Sequence, residues 1–234
     1  MPLYTLSSRP VFPDPRKADP DGLLAVGGDL TPTRLLRAYR SGIFPWFEEA
    51  TPILWWSPPE RAIFLPGDPR LSRRTQRALR RSGFQVRRDT CFEAVVRACA
   101  VTPRPGQDGT WITGAMQRAY LALHRAGYGH SFEVFRAGRL VGGLYGLSLG
   151  AAFFGESMFS LESYASRAAF AGLCRTAWAW YFQFIDGQLP NPNLLDLGAR
   201  VVDRDDFLER LDQALEQPTR QGPWTVPELN HPAF

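Results

Sequence analysis

At 234 residues with 44% apolar side chains, the chain is long enough for one large domain or two small ones. Mean hydropathy is −0.22, no apolar run is long enough to span a bilayer, and Met1-Pro2-Leu3-Tyr4-Thr5 lacks the basic start of a secretion signal, so a cytoplasmic protein is expected. The formal net charge is +4, carried almost wholly by Arg since Lys17 is the only lysine, and Cys91, Cys99 and Cys174 are too scattered for a disulfide framework or a zinc site.

Thr31-Pro32 ahead of Leu35, Leu36 and Tyr39 predicts a helix, with Thr as cap, Pro at the first helical position and Gly42 at the end. Gly42 to Pro58 then holds three Trp, two Phe and three Pro in seventeen positions. No helical or strand period runs through them, which predicts an ordered loop. Large rings on a stiff loop either cap a core or stack flat ligands. Ser72 caps a helix that Gly83 stops. Arg70, Arg73, Arg74, Arg77, Arg80, Arg81, Arg87 and Arg88 fall on and around it with no Asp or Glu between them. A solvated helix face and a footprint for a polyanion, nucleic acid first, both fit that run.

Thr90-x-x-Glu93 reads as a capping box ahead of Val95 and Val96. Pro103, Pro105, Gly106 and Gly109 make a turn-rich loop, and Thr113 caps a helix reaching about Ala126, with Gly127 beyond. Up to this point the chain reads as helix and irregular loop. Ser131–Arg136, Leu140–Leu147 and Ala151–Phe154 then predict three antiparallel strands. An apolar helix over Ser163–Tyr181, a strand over Gln183–Gln188 and a helix over Asp205–Leu215 follow. The layer plan is α+β, and the chain divides naturally into 1–105 and 106–234.

Gly155-Glu156-Ser157 falls at the exit of the third strand, beside Phe154, Met158 and Phe159. A carboxylate in that company needs a cation or a raised pKa. The second Gly of a nucleophile elbow is missing, and no histidine has a triad context, which argues against a serine hydrolase. Strand alternation places Asp186 and Gln188 on one face, as substrate anchors or as solvent-exposed groups. Trp111 before a helix, with Tyr120 two turns along, could stack and bond a base. No P-loop, dinucleotide fingerprint or paired-histidine motif is present, so no metal or nucleotide cofactor is expected.

These residues resemble a known family. Gly22 to Leu30, Gly42 to Phe47, Leu54 to Pro58, Gly109 to Thr113, His130-Ser131, Leu140 to Gly146 and Gly155 to Ser160 stand in the order and spacing of leucyl/phenylalanyl-tRNA–protein transferases. The resemblance implies transfer of Leu or Phe, with Met as a third candidate, from aminoacyl-tRNA to the N-terminal amine of proteins beginning with Arg or Lys, marking them for the bacterial N-degron route. It also implies a small N-terminal domain before a catalytic domain like the GNAT acetyltransferases, with no cofactor, no membrane partner and a monomeric state. By similarity Trp46, Trp111, Tyr120 and Ser157 hold the aminoacyl-adenosine. Leu144, Phe153, Met158, Phe170, Leu173 and Ile185 form the amino-acid bag. Asp186 and Gln188 orient the amine and relay its proton, and Glu156 faces the cationic acceptor. Arg73, Arg74, Arg77, Arg80 and Arg81 take tRNA phosphates.

The chain departs from that pattern at Asn193 and Asp196, where the family has His and Ser, and at Tyr164 and Arg167, where it has Asn and Lys. Two other readings compete. A coenzyme-A-dependent acetyltransferase would need a Gly-rich pyrophosphate loop at a strand-to-helix turn, which is missing. A non-catalytic RNA-binding module would use the arginines and aromatics alone.

Overall fold

The computed structural model describes residues 3–103 and 110–224. The predicted turn-rich stretch from Pro105 through Gly109 lies outside the described residues. A small sheet comes first, made from β1 (Tyr4–Leu6), β2 (Leu23–Gly27), β3 (Phe44–Pro45) and β4 (Leu54–Trp56) in the order β1-β2-β4-β3. Helix α1 (Pro32–Arg40) starts as predicted, with Pro32 in the first turn and the Thr31 hydroxyl accepting from the Arg34 N–H. Gly42 follows it in the left-handed region at φ +70°.

The aromatic segment is not the loop that was expected. Phe44 pairs with Trp56 and Pro45 with Trp55, so both halves are short strands. Pro45 is tolerated because β3 is the sheet edge, where a missing N–H breaks no inner ladder. Trp55 is fully buried, donates its indole N–H to the Gly27 carbonyl and meets Phe12 edge-on.

The large sheet contains β5 (Glu60–Phe64), β6 (Gln85–Arg88), β7 (Gly129–Arg136), β8 (Arg139–Leu149), β9 (Ala152–Ser160), β10 (Phe184–Asp186) and β11 (Arg200–Asp203). Their order is β11-β5-β10-β9-β8-β7-β6. Strands were therefore missed before residue 105, and the sheet draws on both sides of the expected division at 105/106. The predicted three-strand meander is β7-β8-β9. All neighbours are antiparallel except β9 and β10, which run parallel through the crossover helix α5 (Ala165–Ala179). The fold class is α+β, as the layer plan implied.

Two cores flank the sheet. On one face α3 (Phe92–Val101), α4 (Gly114–Arg125), α1 and α7 (Arg204–Leu215) pack with Tyr145, Leu147 and Phe154, and with the small sheet. On the other, α5 and α2 (Arg73–Arg81) pack with Phe132, Leu144 and Phe153. Glycine permits the close approach of α5: a Cβ on Gly142 would stand 2.5 Å from the Ala165 Cβ. The Thr90 capping box does not form. The Thr90 hydroxyl donates to Glu133 across 2.9 Å instead, and Cys91 stands at the cap position without a side-chain bond to the first-turn N–H groups. A buried carboxylate on β7 is the more demanding acceptor.

Candidate active site

The third strand of the meander was expected to stop near Phe154, leaving Glu156 in a loop. It continues to Ser160. Gly146 pairs with Gly155 but Tyr145 pairs with Ser157, so Glu156 is the extra residue of a β-bulge. Gly146 accommodates it, since a Cβ there would stand 2.1 Å from the Phe154 carbonyl oxygen. The bulge re-aims Glu156, which lines a cavity of about 290 Å³.

That cavity opens where the parallel pair parts. β10 pairs with β9 only over Phe184–Asp186 against Ala152–Phe154, after which β9 continues with β8 as its only strand neighbour among the described residues. Glu156 and Asp186 occupy the two lips. The apolar wall consists of Phe64, Leu144, Met158, Phe170, Leu173, Ile185 and Leu194, and Ser157, Asn191 and Asn193 add polar atoms. Five of the six bag residues named from sequence are there. Phe153 is not: it points into the α5 core against Phe132 and Trp224. Phe64, Leu194 and Tyr145 were missed. Leu194 comes from α6 (Pro192–Asp196), a helix too short for periodicity to reveal.

Glu156 is tightly engaged. Its Oε1 accepts from the Tyr39 hydroxyl at 2.7 Å and from the Gln188 side-chain amide at 3.0 Å, and its Oε2 accepts from the Tyr120 hydroxyl at 2.5 Å. Burial raises its pKa to about 7, against the lowering effect of those three donors. Burial and the facing carboxylate hold the Tyr39 and Tyr120 hydroxyls protonated far above neutrality. Tyr120, named for the bound adenosine, is fully buried with its hydroxyl on this carboxylate.

Asp186 and Gln188 do meet, but not by strand alternation. β10 ends at Asp186, and Gln188 sits in the left-handed region at φ +65°. Its N–H turns back to Asp186 Oδ1 at 2.7 Å, while its carbonyl accepts from the Ala62 N–H. The Asp186 carboxylate is completely buried and paired with Arg61, whose Nη2 donates to Oδ2 and whose Nε donates to Oδ1 at 3.3 Å. Sequence reasoning missed Arg61. Its signal was a cation directly ahead of the apolar run Ala62-Ile63-Phe64, which a buried strand accepts only with a partner.

The flanking surfaces carry the other expected residues. Trp46 is 37% exposed, tilted against Trp56 at 5.8 Å, and its carbonyl receives the Trp56 indole N–H. Trp111 is half-buried against the first core. Arg73, Arg74, Arg77, Arg80 and Arg81 are all exposed on α2, and none pairs with a carboxylate among the described residues. The helix is anchored by buried Thr75 and Leu79, and its Ser72 cap accepts from the Thr75 N–H.

A family model for leucyl/phenylalanyl-tRNA protein transferase matches residues 63–212, and one for the N-terminal domain of that transferase matches residues 28–59. The chain belongs to this family. A leucyl/phenylalanyl-tRNA–protein transferase from Anaeromyxobacter sp. (strain K) is 52% identical over 97% of each chain. One from Xanthomonas euvesicatoria is 53% identical over 99% of this chain and 93% of that relative. Among solved structures, a GCN5-related N-acetyltransferase-like protein from Streptococcus suis superposes with a TM-score of 0.34 at 13% identity, covering 76% of this chain and 67% of that one. As a member of the transferase family the chain is an aminoacyltransferase. The two family models meet between residues 59 and 63, at the start of β5. Among the described residues no helix is long and apolar enough to cross a membrane.

Proposed function

We propose that this aminoacyltransferase moves Leu or Phe from its charged tRNA to the N-terminal α-amine of proteins that begin with Arg or Lys. The product is a substrate for the bacterial N-degron route in the cytoplasm. The observation that carries this reading is an apolar cavity of about 290 Å³ with a carboxylate of pKa about 7 in its wall. Its size and lining suit one large aliphatic or aromatic side chain, and a polar side chain would be desolvated there without partners.

An aminoacyl ester is already activated, so the reaction needs alignment and proton transfer more than a nucleophile. The ester carbon sits at the cavity mouth with its side chain in the bag of Leu144, Met158, Phe170, Leu173 and Ile185. The α-amine attacks that carbon, a C–N bond forms, and the ester C–O bond breaks. The relay passes from Asp186 and Gln188, where the resemblance put it, to Glu156, because Arg61 and the Gln188 N–H already hold the Asp186 oxygens: the proton released from nitrogen goes to the Glu156 carboxylate and then to the departing ribose oxygen. A pKa of about 7 suits a group that must both take and return a proton at neutral pH. Asp186, held by Arg61 and the Gln188 N–H, orients the amine together with Gln188. Trp46 and Trp111 stack the terminal adenosine, Ser157 bonds beside the ester, and the exposed α2 arginines take tRNA phosphates.

The test is a transfer assay with labelled Leu-, Phe- and Met-tRNA and peptides beginning with Arg, Lys or Ala, without ATP or added metal. Transfer of Leu and Phe to Arg and Lys peptides alone is expected. No transfer to any basic N-terminus, while a known transferase works in parallel, sinks the reading.

A further inference from the structure

Arg61 makes a set of contacts that reaches beyond its ion pair. Its guanidinium is completely buried. Two of its nitrogens hold Asp186, and the third, Nη1, donates to the Gly42 carbonyl at 3.1 Å. The same planar group lies between two rings, 4.9 Å from the centre of Phe44 and 4.3 Å from that of Phe207. Gly42 and Phe44 open the aromatic segment that carries Trp46, while Asp186 closes β10 and receives the Gln188 N–H. One side chain therefore joins the segment bearing the exposed tryptophan to the group that fixes Gln188, and through Gln188 to Glu156.

We propose that Arg61 is a positioning residue that sets the adenosine-stacking segment and the amine site in register through a single guanidinium. The inference rests on the functional reading above. A guanidinium suits the task and an ammonium does not. Its fork presents donors in one plane to a carboxylate and a carbonyl on opposite sides, and its faces stack on aromatic rings. A lysine keeps the charge but is a point donor that reaches one of the two anchors at a time.

The decisive variant is Arg61→Lys, compared with Gln188→Ala. Gln188→Ala lowers kcat with KM for aminoacyl-tRNA unchanged, because it removes the side-chain amide on the amine side and leaves the Arg61–Asp186 pair intact. Arg61→Lys lowers kcat on the order of 10²-fold, the scale of a small misplacement of reacting groups. It also raises KM for aminoacyl-tRNA by roughly tenfold, the low end of what losing one stacked base costs. A merely structural defect reduces the amount of competent enzyme and leaves KM where it was. Amide hydrogen exchange gives a second readout that needs no catalysis. Exchange at Ile43 and Trp46, and at Gly187 and Gln188, speeds up together in Arg61→Lys. An unchanged KM, or faster exchange in only one of the two segments, overturns the proposal. If Arg61→Lys does not fold, Arg61→Met combined with Asp186→Asn leaves no buried unpaired charge and carries the same exchange readout. If the wild-type chain transfers neither Leu nor Phe, the functional reading fails, and exchange alone still decides whether Arg61 couples the two segments.

Discussion

The side-chain amide of Gln188 donates to Glu156 Oε1 across 3.0 Å, tying the end of β10 to the bulge of β9. Neither residue could reach the other from an uninterrupted strand. The left-handed backbone of Gln188 and the extra residue in β9 are both needed to bring them together.

The pH profile follows from Glu156. On the proposed reading only its ionised form accepts the amine proton, so kcat is expected to rise through its pKa of about 7. The α-amine of the acceptor titrates somewhat higher, at about 8, and adds a second rising limb. Glu156→Gln removes the lower limb and reduces kcat by roughly 10²- to 10⁴-fold. A lower limb that persists in Glu156→Gln assigns the proton elsewhere.

Stability carries the same signature with a definite sign. The folded pKa of Glu156 lies above its ordinary value, so its proton stabilises the fold fully below about pH 4.5 and this contribution is lost as pH rises through about 7. Glu156→Gln cannot lose that proton. Its melting temperature relative to wild type therefore increases between pH 5 and pH 8, as thermal melts at both values would read.

Two of the three tryptophans of the aromatic segment separate function from folding. Trp46→Ala weakens aminoacyl-adenosine binding by roughly 1–3 kcal/mol and leaves the melting temperature almost unchanged, since the ring is already partly in water. Trp55→Ala costs about 3–5 kcal/mol of stability, as for other large rings removed from a core. Calorimetric binding and denaturant unfolding measure the two effects separately.

On the proposed reading the α2 arginines take tRNA phosphates, and such contacts weaken with salt. Arg73, Arg77 and Arg81 stand four residues apart on one helix face, and all are exposed. Replacing the three with Gln lowers the steepness of tRNA affinity against salt by about 2–3 in the log–log slope. Affinity measured over a salt series in which the slope does not move shows these cations contact no phosphate. The helix itself persists, because Thr75 and Leu79 hold it.

Met158 borders the bag on β9 without being fully buried. Met158→Ala widens the bag and moves preference from Leu towards Phe by roughly 1–3 kcal/mol, a change of about 10- to 200-fold in the ratio of kcat/KM. A ratio that stays fixed in paired transfer assays places the amino-acid side chain outside this cavity.

Elements announced by local chemistry were legible in the sequence. The Thr31-Pro32, Ser72 and Thr113 caps gave the starts of three helices, and alternation gave the meander. What escaped was decided by partners distant in the chain. Thr90 had a capping pattern but a better acceptor in Glu133. Phe44-Pro45 is a strand only because Trp55 and Trp56 lie beside it. Within the site, the residue types around Glu156 and Asp186 were visible, and so was most of the bag. Arg61 and Tyr39 were not, because a cation in a strand and a tyrosine in a helix say that a partner exists without saying which. Tyr120 was legible as a polar group of the site, but its bond to Glu156 was not.

The parting of β9 and β10 has a kinetic consequence. Glu156 and Asp186 stand on hydrogen-bonded strands rather than on a long loop, so the ordering entropy of these groups is met when the chain folds, not when substrate arrives. Such a site behaves as a preset mould. Single-turnover transfer from pre-bound aminoacyl-tRNA then follows one exponential, without a slow rearrangement ahead of it.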